Sequence, residues 1–266
     1  MSRISERFRV LRGRGERALV PFITAGDPDL ATTEAIILAL AESGADLIEL
    51  GVPFSDPIAE GPTIQRASER ALRRKTSLRG VLGLVKGLRP KVELPLVLMG
   101  YANTFYAMGE ENFARAAAEV GVDGIIVVDL PPEEGATLFT EAEKRGIDAV
   151  LLAAPTTTAA RREMLARRTR GFLYYVSLTG VTGARAALAQ GIRESVGAVR
   201  KVSPIPVCVG FGVSTPEHAR EIAEYADGVV VGSALVDRIA SAASREEAVD
   251  GAARFVAELK AGMRVH

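Results

Sequence analysis

The sequence has one cysteine, two histidines and no tryptophan, and only six of its 33 basic residues are lysine. Each scarcity closes a class of chemistry. Cys208, in the apolar run "IPVCVG", has no partner for a disulfide within the chain, and a buried inert thiol is expected there. His218 falls inside a helical pattern and His266 at the end, so no His/Cys cluster has zinc or iron spacing and no Ser-His-Asp arrangement can be drawn. The lysines (75, 86, 91, 144, 201 and 260) lie in or beside helical patterns, away from the strand ends where a Schiff-base amine would be needed. Acids and bases balance at 33 each, so no net field draws nucleic acid or anionic membrane. The charged start "MSRISERFRVLRGRGE" contains no apolar signal segment. No stretch approaches the roughly 18 uninterrupted apolar residues of a membrane span. A soluble, cytoplasmic protein is expected, and carboxylate-bound magnesium stays open.

What is abundant is apolar: 48% of 266 residues, enough for one sizeable core. Short, continuously hydrophobic runs are predicted as strands at 18–24, 46–50, 95–99, 124–128, 148–153, 172–177, 205–210 and 228–232, as expected of strands covered on both faces. Helical patterns fall at 31–43, 62–74 with 77–88, 110–119, 132–145, 158–169, 191–201, 215–224 and 245–260. Pro62, and Ser214 with Pro216, read as helix starts. The phrases "ESGAD", "EVGVDG" and "KRGIDA" precede strands two, four and five, with glycines suited to helix C-caps. Strict alternation without a linker predicts a single-domain (β/α)8 TIM barrel over 1–266, with an extra N-terminal helix and a short helix after strand eight. A doubly wound open sheet is the alternative.

In a barrel, chemistry sits on the loops after the strands. Three late loops are rich in small residues: "SLTGVTGARA", "VGFGVST" and "VGSALV". Glycine there lets backbone N–H groups approach an anion, and a helix leaving strand eight adds its N-terminal dipole. Gly183, Gly212, Gly232 and Ser233 are the expected phosphate donors. The plainer reading is that these are only tight turns.

The candidates for chemistry are carboxylates. Glu49 ends an apolar run, where desolvation should raise its pKa into acid/base range; the alternative is a carboxylate that caps a loop. Glu60 lies at the far end of the stiff, acidic stretch "ELGVPFSDPIAEGPTIQ". Asp129 reads as a mouth hydrogen-bonding residue, and Asp27 as the start of the first barrel helix. Phe22, Tyr101, Tyr174 and Phe211 fall at other strand ends, where they could line a flat apolar pocket.

The segments "PFITAGDPD", "GADLIELGVPFSDPIAEGPTIQRA", "GVDGIIVVDLPPEE", "YYVSLTGVTGAR" and "VGFGVSTPE", in this order and spacing, resemble the tryptophan synthase α subunit family along the whole chain. The resemblance implies a lyase that cleaves indole-3-glycerol phosphate to indole and glyceraldehyde 3-phosphate without metal or Schiff base. It assigns proton handling at indole C3 and the glycerol hydroxyl to Glu49. The second acid, at the indole N–H, falls on Glu60, where the family's "ADGP" reads "AEGP". It places Phe22, Met99, Tyr101, Ile126, Val128, Ala153, Tyr174 and Thr182 at pocket positions, with 51–61 and 177–190 as the active-site and partner loops. It also implies a β subunit holding pyridoxal phosphate, in an α2β2-type complex that receives indole. The segment "VPFSDP" would form an outward ridge against that partner, with Pro53, Asp56 and Gly180 at the contact. No cofactor is implied for this chain. Two rivals remain open: another phosphate-binding barrel, and an activating subunit whose own catalysis has faded through Glu60.

Overall fold

The computed structural model describes residues 1–176, 185–210 and 212–264, the side chains of 185–190 excepted. Eight parallel strands close into a barrel in sequential order: β1 (Ala18–Thr24), β2 (Ile48–Gly51), β3 (Leu96–Gly100), β4 (Gly124–Val127), β5 (Asp148–Ala153), β6 (Leu173–Val176), β7 (Val207–Gly210) and β8 (Gly228–Val231). The open-sheet alternative is thereby excluded. The helices are α1 (Arg3–Gly13), α2 (Leu30–Glu42), α3 (Pro62–Arg73), α4 (Leu78–Leu88), α5 (Ala102–Tyr106), α6 (Glu110–Val120), α7 (Ala136–Lys144), α8 (Ala159–Arg168), α9 (Arg185–Val202), α10 (Pro216–Ala223), α11 (Ser233–Ser241) and α12 (Arg245–Gly262).

The differences from the sequence reading have local causes. β7 starts two residues after its apolar run because Pro206 has no N–H to give the ladder; its carbonyl accepts from Leu173 instead. α9 begins six residues before its amphipathic pattern, through "RAALAQ", where helix-favouring residues extend it without an apolar stripe. α5, five residues long, is too short for a period to show. Thr215, not Ser214, caps α10. Asp29, not Asp27, caps α2, its carboxylate accepting from Thr32 N–H at 2.8 Å.

Two cores flank the barrel wall. Outward residues such as Leu19, Ile23, Leu50 and Leu98 pack under the helices. Inside, Val20, Leu47, Val97, Ile126, Val150, Phe172, Tyr174 and Cys208 fill the barrel. From below, α1 drives Ile4, Phe8 and Leu11 into this inner core. A β-carbon at Gly124 would stand 2.9 Å from Ile4, so only glycine lets the plug seat. Strand alternation therefore runs inward through Ala18, Val20 and Phe22, and on to Thr24 at the mouth.

The N-terminal rim is tied by acids that precede strands. Asp46 accepts the backbone N–H of Leu19 (2.7 Å), Asp123 that of Leu96 (2.8 Å) and Asp227 that of Val207 (3.0 Å). Each carboxylate thus takes a backbone N–H at the start of the preceding strand. Among the described residues, no helix is long and apolar enough to cross a membrane.

Candidate active site

The C-terminal mouth holds a cleft of about 280 Å3, counted to its open end and lined largely by apolar groups. Phe22, Met99, Tyr101, Phe54 and Pro57 are among the residues that line it. Gly51 leaves room for the ring of Phe22, which would lie 2.6 Å from a β-carbon there.

The segment after β2 is held down by aromatic contacts. Phe54 stacks on Tyr101 with ring centroids 4.8 Å apart and 16° between planes. The Tyr101 hydroxyl accepts the backbone N–H of Ala59 at 2.9 Å. Gln65, in the first turn of α3, donates to the carbonyl of Glu60 at 3.0 Å. Pro62 occupies the opening of α3, where no N–H is missed. These contacts carry Glu60 to the cleft wall.

Glu49 lies on β2 in register with Phe22 of β1 and Val97 of β3. It is 1% exposed, and neither carboxylate oxygen has a hydrogen-bond partner among the described residues. Burial, with the Glu60 charge adding to it, pushes its pKa up to about 8. Burial likewise pushes Glu60 up to about 7. The sequence reading foresaw the direction at Glu49. Tyr174, in the inner core, is raised well above the ordinary phenol range, first by burial and then by the charges of Glu49 and Glu60; it remains a protonated donor.

The other expected residues fall as follows. Ile126 is fully buried in the inner core, and Val128 and Met99 pack on it from the mouth side. Ala153, at the end of β5, belongs instead to the core outside the barrel, because alternation points it to the helices. Asp129 accepts the N–H of Ala102 at 2.8 Å, a mouth hydrogen bond as read. Gly232 precedes α11 and Ser233 opens it, beside Phe22. Gly212 has φ +45°. Thr182, Gly183, Gly180 and Phe211 lie outside the described residues.

Two expectations need correction. Asp27 is 4% exposed and receives a two-pronged ion pair from Arg70 (2.7 and 2.8 Å), so it ties α3 to the β1 loop rather than starting a helix. The ridge is also narrower than "VPFSDP". Pro53 and Pro57 are buried within the chain, whereas Ser55, Asp56, Ile58 and Ala59 are exposed. Prolines that pack inward make the base on which the crest stands.

Sequence reasoning passed over Thr24, Ile64 and Ser68, which also line the cleft. The signals were available: Thr24 continues the inward alternation of Phe22, while Ile64 and Ser68 are spaced by one helical turn on α3.

The closed parallel barrel and its acid-flanked mouth cleft define a (β/α)8-barrel enzyme. The family model of the tryptophan synthase alpha chain matches residues 8–264, and the chain belongs to that family, a lyase family of tryptophan biosynthesis. It is 54% identical over 263 residues to the tryptophan synthase alpha chain of Geobacter sp. (strain M21), covering 99% of this chain and 98% of that one. A crystal structure of tryptophan synthase subunit alpha from Legionella pneumophila str. Paris superposes with a TM-score of 0.92 at 38% identity, covering 99% of this chain and 98% of the other. A structure of Mycobacterium tuberculosis tryptophan synthase gives 0.90 at 40%, covering 100% and 99%.

Proposed function

We propose that this chain cleaves indole-3-glycerol phosphate to indole and glyceraldehyde 3-phosphate, with Glu49 and Glu60 as its acid/base pair. The observation that carries this reading is the unpartnered carboxylate of Glu49, fully desolvated at the end of β2 beside a cleft that also holds Glu60. A carboxylate held only for stability would have donors around it.

The chemistry follows from the two environments. At neutral pH Glu49 keeps its proton and Glu60, the lower of the pair, is the one that ionises. Glu49 delivers its proton to indole C3, and Glu60 accepts the indole N–H and stabilises the positive charge that develops on the ring. The emptied Glu49 then takes the proton of the hydroxyl on the carbon attached to C3. The C–C bond breaks, its electron pair restores the aromatic ring, and the hydroxyl oxygen becomes the aldehyde carbonyl. The ring serves as electron sink, so no cofactor is assigned to this chain.

Phe22, Met99 and Tyr101, with Tyr174, Ile126 and Val128 deeper in the barrel, supply the flat apolar walls. Backbone N–H groups at Gly232, Ser233 and Gly212, with Gly183, bind the phosphate, since the first N–H groups of a helix have no intrahelical acceptor. The exposed crest around Asp56 and Ile58 docks on a β subunit that holds pyridoxal phosphate and receives the indole, in an α2β2-type complex in the cytoplasm. The test is to supply indole-3-glycerol phosphate to the purified chain, alone and with a β subunit, and measure indole. Release is expected in both, faster in the complex; absence of indole from both sinks the proposal.

A further inference from the structure

The cleft has two hydroxyls that no described residue uses. Thr24 is 3% exposed, and its Oγ1 has no hydrogen-bond partner among the described residues. Ser68, 5% exposed on the facing helix α3, makes no hydrogen bond with any described residue. Both line the same cleft as Glu60, whose carboxylate likewise accepts from no described group. A buried donor left unsatisfied costs about 1–3 kcal/mol, so the Thr24 hydroxyl requires an explanation, and Ser68 lines the same cleft.

An indole ring supplies none for them. Its nitrogen is a donor, and its faces and edges carry no acceptor. With the ring in the cleft, an acceptor for the hydroxyls of Thr24 and Ser68 has to come from the glycerol phosphate arm or from the protein, and Glu60 is the carboxylate that lines the cleft with them. Tyr101, the other hydroxyl in the lining, already accepts from Ala59. The carboxylate of Glu60 has two oxygens and about four lone-pair sites, more than one ring N–H can fill. Glutamate also reaches one methylene further from the loop than the aspartate of "ADGP" would, within the cleft that the two hydroxyls line.

We propose that Thr24 and Ser68 are positioning residues for Glu60: their hydroxyls donate to its carboxylate when the ring is bound, and hold the longer acid at the ring nitrogen. This deepens the proposed lyase reading and rests on it. The device explains how glutamate serves at a position where a misplacement of about 1 Å can cost on the order of 100-fold in rate. The two hydroxyls replace reach with restraint.

The test is a set of variants in complex with the β subunit, with indole release from indole-3-glycerol phosphate followed against pH. Thr24→Val keeps the shape and removes the donor. It is expected to lower kcat about tenfold, the effect of one hydrogen bond to a charged group, with KM changed less than about threefold. The pH limb set by Glu60 should move upward, because its ionised form loses a donor. Thr24→Ser should restore both rate and limb. Ser68→Ala should move them the same way by a smaller factor. In a Glu60→Asp background, where the shorter acid does not reach, Thr24→Val should cost less than about threefold. An equal loss in both backgrounds, or an unmoved pH limb, overturns the inference while leaving the lyase assignment standing. If the unsubstituted complex released no indole, the reaction itself would be wrong.

Discussion

Asp46 and Glu49 lie three residues apart on one strand and its approach, and each is at most 1% exposed. Asp46 accepts from the Leu19 backbone (2.7 Å), from Arg7 (2.6 Å) and from Lys260 (2.7 Å). Glu49 accepts from no described residue. The same contrast separates the two ends of the barrel. Asp123 at the N-terminal rim is met by Arg3, by Arg89 at 3.5 Å and by the Leu96 backbone, whereas the Glu60 carboxylate at the mouth accepts from no described group. A buried charge with donors around it holds strands in place. A buried acid without them holds a proton at an inconvenient pKa, which suits chemistry. Burial alone therefore does not separate structural from functional carboxylates; the count of donors does.

Exchanging the two acids' fates is the strongest way to break that contrast. Glu49→Gln should lower indole release at least about 1000-fold, within the range of general acid–base catalysis, while the variant folds and still binds glyceraldehyde 3-phosphate. Asp46→Ala should do the reverse. It takes the acid from Arg7, leaves Lys260 with only the Arg17 carbonyl (3.1 Å) and the more distant Glu16 (3.9 Å), and opens the Leu19 N–H, at a cost of about 3 kcal/mol in stability, and the fraction that stays folded should turn over normally. Urea unfolding beside turnover per folded molecule reads both. An inactive but stable Asp46→Ala, or an unstable Glu49→Gln, would erase the distinction between the ends.

The pH dependence of stability sharpens it. Glu49 has a folded pKa of about 8 against a reference of 4.5, so between these values the native state holds a proton that the unfolded chain has released. Stability therefore falls as pH rises from about 4.5 to about 8, and this contribution levels off above. At about 1.4 kcal/mol per unit the full window is on the order of 5 kcal/mol. Glu49→Gln should remove most of that slope, so its urea midpoint should pull ahead of the parent's between pH 5 and 8. Parallel curves would mean that Glu49 finds a partner in solution.

The sequence made the mouth more readable than the base. Alternating apolar runs predicted the barrel, and an acid ending the second run predicted Glu49, since both are signals of hydrophobic period and position. The phrases "ESGAD" and "EVGVDG" were read for their glycines, and their acids were passed over. Asp46 and Asp123 act on the strand before their own, a non-local hydrogen bond with no sequence spacing to betray it. Asp27 was misread for the same reason, because its partner Arg70 lies 43 residues on. Thr24 and Ser68 look like ordinary strand and helix residues until the fold sets them across one cleft.

The smallest expected effect tests whether donors at the base are redundant. Arg3 is 45% exposed and pairs with Asp123, which also receives the Leu96 backbone and stands near Arg89, itself largely buried. Arg3→Ala removes one donor of three, and solvent already screens the one removed. Its cost should stay within the roughly 0–1 kcal/mol of an exposed pair, with indole release unchanged. Arg89→Ala, removing the buried donor, should cost more. If Arg3→Ala matched the damage of Asp46→Ala, each rim acid would depend on a single contact, and the N-terminal end would be as sparsely held as the mouth.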